Sequence, residues 1–85
     1  MAYRHINLAG TYNITSGGGT LKRIVVNTTA AGAITVYDDD SAVATSLVAT
    51  LKSNIVENSY EYDIQYNRGL TIVTAAASDI TVVYT

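Results

Sequence analysis

His5 is the only histidine in the chain, and cysteine is absent. A nucleophilic hydrolase needs a base beside its Ser or Thr and an acid that orients the base. His5 stands in an N-terminal stretch with no such partners beside it in sequence, so it reads as an ordinary exposed or interface histidine. Glu57, Glu61 and Asp63 raise a second possibility, a two-carboxylate glycosidase. On an extended strand Glu61 and Asp63 would share a face about 6.5–7 Å apart, a spacing such enzymes use. They alternate with Tyr60, Tyr62 and Ile64, which makes theirs the wet face of a regular strand.

Asp38-Asp39-Asp40-Ser41 gathers hard oxygen ligands of the kind calcium accepts. Consecutive carboxylates diverge, however, and the spacing lacks the alternate-residue pattern and terminal Glu of an EF-hand loop. A polar turn is the reading. Gly17-Gly18-Gly19 is followed by no Lys-Ser/Thr pair and no long helix, so it is a flexible joint, not a phosphate cradle. Tyr60, Tyr62 and Tyr66 could stack on sugar rings, but they share a face with Ile64 and read as core. No catalytic, cofactor-binding or metal residue is assigned; the chain reads as non-enzymatic, with no cofactor.

The elements that would carry these residues are strands. All seven aromatics are Tyr, β-branched residues abound, and no segment keeps helical apolar spacing for three turns. Alternation predicts strands at 20–28, 33–38, 46–51, 60–66, 70–74 and 79–84, with one or two more near the start, at 3–8 and optionally at 11–15. The segment 42–51 could be helical, since Val43, Leu47 and Leu51 recur every fourth residue, but its Thr, Val and Ser content favours a strand. Thr29 to Gly32 reads as a hairpin turn, with further turns at Asp38 to Ser41 and Asn67 to Gly69. Ala75 to Ser78 is expected to join the last two strands as a closing pair. The fold class is therefore all-β: a small antiparallel β-sandwich or jelly-roll-like barrel of about seven strands. The domain spans residues 19–85, and residues 1–16 form an N-terminal arm beyond the glycine joint.

At 85 residues the chain buries only about 60–65% of its unfolded surface. With no cysteine to staple it, oligomerisation is the remaining support. Charged residues make up 14% of the chain, against about 25% in an average domain, which suits a surface packed on neighbours. The net charge of −2, with only Lys22 and Arg23 adjacent, argues against nucleic acid. No signal-peptide pattern and no long apolar run is present, so export and membrane insertion are not expected. The triplets starting at Asn13 and Asn27 match the glycosylation pattern, as a Thr-rich chain does by chance.

The segments GTLKRIVVNTTAAGAITVYDDD and YEYDIQYNRGLTIVTAAASDITVVYT, together about residues 19–85, resemble small all-β structural proteins of tailed-bacteriophage particles. The resemblance implies a virion component such as a capsid decoration (cement) protein. Such proteins are commonly β-sandwiches or jelly rolls that assemble as trimers or other rings and grip the major capsid protein. It further implies a protein made in the bacterial host cytoplasm and placed on the virion surface. A carbohydrate- or receptor-binding module of a head fibre or tail is the alternative, and it requires Tyr37, Tyr60 or Tyr62 on one accessible patch. For the cement reading the expected interface combines Tyr3, Arg4, His5, Ile6 and Leu8 of the arm with Val25, Val73 and Val83. Those three valines face away from the apolar rows of their own strands.

Overall fold

The computed structural model describes residues 1–85. Eight strands form in chain order: β1 (Ala2–Ile6), β2 (Gly10–Ser16), β3 (Gly19–Thr28), β4 (Ile34–Tyr37), β5 (Leu47–Leu51), β6 (Ser59–Tyr66), β7 (Gly69–Thr74) and β8 (Asp79–Tyr84). Every strand expected from alternation is present. The segment with fourfold apolar spacing is a short 3₁₀ turn, Ala44–Ser46, leading into β5. No helix is long and apolar enough to cross a membrane.

The strands build two four-stranded sheets, ordered β1-β8-β3-β6 and β2-β7-β4-β5, and every pairing is antiparallel. The pairs β1/β8, β2/β7, β3/β6 and β4/β5 are those of one long hairpin with its tip between β4 and β5. Rolling that hairpin adds β3/β8 and β4/β7, which close each sheet. This is the eight-stranded jelly roll, a β-sandwich whose connections pass from sheet to sheet.

The wrapping corrects several local expectations. β7 and β8 do not pair: they lie in different sheets, and Ala75–Ser78 carries the chain across the sandwich. Their apolar rows, Leu70 and Ile72 on one and Ile80 and Val82 on the other, meet in the core across the two layers. The turns Thr29–Gly32 and Asn67–Gly69 are likewise corners between sheets, and only the Asp38–Ser41 region closes a hairpin. The glycine run is a tight corner rather than a hinge. Gly17 N–H donates to the Arg68 carbonyl at 3.0 Å, and a side chain at Gly19 would collide with the Thr85 carbonyl and the Tyr66 ring. Residues 1–16 accordingly belong to the body. β1 edges the first sheet against β8, and β2 edges the second against β7, because their backbone groups find partners there.

The core holds Ile6, Leu21, Ile24, Val26, Ile34, Val36, Leu51, Tyr66, Leu70, Ile72, Ile80 and Val82. Most of these residues follow the period-two rows of their strands. Leu21 and Ile24, three apart, are both buried because a register shift between Leu21 and Arg23 brings them to the same face. Leu47 departs from its row. A register shift between Val36 and Tyr37 turns it outward, and it is half exposed. Tyr66 sits at the rim of the core, where its hydroxyl donates to the Thr85 carbonyl at 2.9 Å. No buried side-chain nitrogen or oxygen lacks a hydrogen-bond partner.

Candidate interaction surface

Alternation that sends Ile6, Ile80, Val82, Ile24 and Val26 inward sends their neighbours to the outer face of the first sheet. Register then sets these neighbours side by side. Tyr3 lies opposite Val83, His5 opposite Thr81, Val83 opposite Arg23, and Thr81 opposite Val25. Four of the expected interface residues, Tyr3, His5, Val25 and Val83, thus meet on one surface although they come from three strands. Met1, Ala2, Tyr3, Thr81 and Val83 line a shallow apolar hollow of about 430 Å³ at its β1 end. Met1 and Tyr3 are 78% and 72% exposed, which leaves the hollow open to a partner.

The other expected residues go elsewhere. Ile6 is 2% exposed and belongs to the core, because it shares the inward row of β1 and pairs with Ile80. Arg4 stands on the open side of the sandwich, with its guanidinium carbon 5.6 Å from the centre of the Tyr12 ring, a cation–π contact. Leu8 lies in the β1–β2 turn with its side chain exposed; its carbonyl accepts from the Tyr12 hydroxyl at 2.8 Å and from Thr74 Oγ1 at 2.9 Å. Val73 is on the second sheet, in a band with Thr11 and Thr35, and so cannot join the other valines in one contact.

Polar side chains on the first sheet neutralise one another. Asp79 Oδ1 is 2.6 Å from His5 Nε2 and also accepts from Asn27 Nδ2 at 3.2 Å, while Asn27 Nδ2 reaches Thr81 Oγ1 at 3.2 Å. The His5 and Asn27 hydrogen bonds hold the Asp79 carboxyl below its usual range. Glu61 accepts from Ser59 Oγ at 2.7 Å and from Arg23 Nε at 3.2 Å, and these bonds lower its pKa in turn. His5 therefore does meet an acid, 74 positions away, which sequence reading missed. It does so on an open sheet face, where the pair ties β1 to β8.

The aspartates of the β4–β5 loop form a latch. Asp38 Oδ1 accepts the backbone N–H groups of Asn67 at 2.8 Å and Arg68 at 2.9 Å. Asp39 accepts from the Asp40 N–H at 2.8 Å and from Ser46 Oγ at 3.2 Å, and the Asp40 bond leads in lowering its pKa. Thr71 Oγ1 donates to the Asp39 carbonyl at 2.8 Å. Carboxylates engaged this way hold the hairpin tip against the β6–β7 corner, and no cluster of three His, Asp or Glu forms a metal-binding group.

The tyrosines do not make a platform. Tyr60 and Tyr62 pack against the core, and the Tyr60 hydroxyl donates to the Val56 carbonyl. Tyr37 is in the other sheet. Glu61 and Asp63 are exposed on the outer side of edge strand β6, as a wet face requires.

Comparison with protein-family models, with curated proteins and with solved structures finds no significant match. The likeness to phage structural proteins rests on the residues quoted for it alone.

Proposed function

We propose that the protein is a non-enzymatic structural component of a tailed-phage virion, a capsid decoration protein that self-associates and binds the shell formed by the major capsid protein. The observation that supports this reading is the outer face of the first sheet. It pools Met1, Tyr3, Val25 and Val83 with polar groups already partnered, His5 hydrogen-bonded to Asp79 and Arg23 ion-paired with Glu61. Pairing avoids the larger cost of burying these groups unpartnered, and the apolar side chains supply the gain on contact. A thin core of 12 residues in an 85-residue chain adds a reason to gain stability from neighbours.

The test is the solution mass by light scattering, followed by co-sedimentation with shells assembled from the major capsid protein of the same genome. A defined oligomer, with a trimer as the expected assembly, that pellets stoichiometrically with shells is the expected result. A monomer that stays in the supernatant at every shell concentration would overturn the proposal. The decoration reading is favoured over a carbohydrate- or receptor-binding module because Tyr60 and Tyr62 pack against the core and Tyr37 lies in the other sheet.

A further inference from the structure

A jelly roll has four free strand edges, here β1, β6, β2 and β5, and each is a row of unpaired backbone N–H and C=O groups. Three of the four are spoiled for further pairing. The β2/β7, β3/β6 and β4/β5 ladders each contain a register shift, at Asn13/Thr15, Leu21/Arg23 and Val36/Tyr37. β6 in addition carries Asp63 at φ 51° with Glu61 beside it on the exposed side. Bulges and edge charges of this kind twist an edge away from any incoming strand.

β1 is different. Its ladder runs unbroken from Ala2↔Tyr84 to Ile6↔Ile80, so its outer edge is regular over all five residues. Of its polar side chains, His5 is turned to Asp79, and Arg4, over the Tyr12 ring, is the one cationic side chain left at this edge. The apolar hollow of Met1, Ala2, Tyr3, Thr81 and Val83 opens directly beside this edge.

We infer that β1 is a strand-acceptor edge, and that its occupant is an extended segment of the capsid subunit, which adds antiparallel or parallel to β1 as a fifth strand of the first sheet. The inference rests on the decoration reading above and names how that contact is made. Main-chain hydrogen bonds supply the attachment, and side chains on alternate positions supply the selectivity. The row of β1 that carries Tyr3 faces the hollow, so the incoming strand places an apolar side chain there. The opposite row carries Arg4, which is exposed and has no carboxylate within ion-pair range. An Asp or Glu next to the apolar residue on the incoming strand complements it. Charge also argues against a second copy of this chain as the occupant. A two-fold pairing centred on β1 sets Arg4 against Arg4 of the other copy, and no residue of β1 is acidic.

The experiment uses the full chain and the same capsid shells. Wild type, Tyr3→Lys and Arg4→Glu are compared by co-sedimentation, with backbone hydrogen exchange measured free and shell-bound; retained thermal unfolding shows that the two variants still fold. Both variants are expected to weaken attachment roughly tenfold or more, and the amides of Ala2–Ile6 are expected to gain protection on attachment. If wild type attaches while the variants attach equally well, or while β1 gains no protection, the edge inference is overturned and the decoration reading stands. If wild type does not attach, both fail. If the β1 amides that point away from β8 are protected in free protein and the solution mass doubles, the edge pairs with its own copy and the assigned occupant is wrong.

Discussion

Individual side chains show most directly what alternation can and cannot reveal. Ile6 and Tyr3 are three residues apart in a strand of five, yet one is core and the other the single tyrosine of the hollow, 72% exposed. Parity within the strand separates the two and is legible in the sequence, but which row is buried is fixed only when β1 lies beside β8 and Ile6 meets Ile80. The His5–Asp79 contact was not available, because nothing local links position 5 to position 79; only the wrapping of the hairpin brings β1 beside β8. Its consequence is an acid dependence of stability. Asp79, Glu61 and Asp39 all have lowered pKa values in the folded protein, against ordinary values of 3.8, 4.5 and 3.8. A depressed carboxylate contributes stability above its unfolded pKa and loses it as pH falls through the folded value. Urea midpoints should therefore hold steady from pH 7 down to the ordinary carboxylate range and fall below it. Asp79→Asn should flatten part of that fall, and an unchanged pH profile in this variant would remove Asp79 from the account.

At the scale of elements, strands were legible and their partners were not. Strands announce themselves through period two, as Tyr60 to Tyr66 does, although bulges break the rows of β3 and β5; a corner between sheets and a hairpin turn recruit the same Gly, Asn and Asp chemistry. Asn67-Arg68-Gly69 looks like a hairpin turn by composition, and what makes it a corner is the latch reaching it from the β4–β5 loop. Gly69 shows the crowding there: a Cβ would stand 2.8 Å from the carbonyl oxygens of Asp39 and Thr15. The triplet of aspartates, read as a plain polar turn, turns out to hold two loops together through Asp38 Oδ1. Asp38→Ala removes an acceptor from two backbone donors, a loss of about 1–2 kcal/mol. Its signature is local: amide exchange at Asn67 and Arg68 should quicken while amides of β1 and β8 change only as far as global stability does. Equal acceleration throughout would mean the latch stabilises the whole fold, not the hairpin tip.

For the whole molecule, the decisive feature is that the last strand is interior to its sheet. β8 lies between β1 and β3 and carries Ile80 and Val82 into the core, and Thr85 exchanges backbone hydrogen bonds with Thr20. The alternating run at the C-terminal end, ITVVY, is thus explained by its place: both flanks of the strand are paired and one face is covered. β1, by contrast, has one paired flank and supplies Ile6 alone to the core. Two deletions of similar length should then behave unlike one another. Removing residues 1–6 should leave a cooperatively folded protein, weakened by about 2–5 kcal/mol as for the loss of one large core side chain. Removing residues 79–85 splits the first sheet between β1 and β3 and takes two fully buried side chains, which exceeds the stability a domain of this size commands. Backbone amide spectra separate the cases, dispersed for the first deletion and collapsed for the second. A dispersed spectrum after loss of 79–85 would mean that β8 is not the strand that joins the two halves of the sheet.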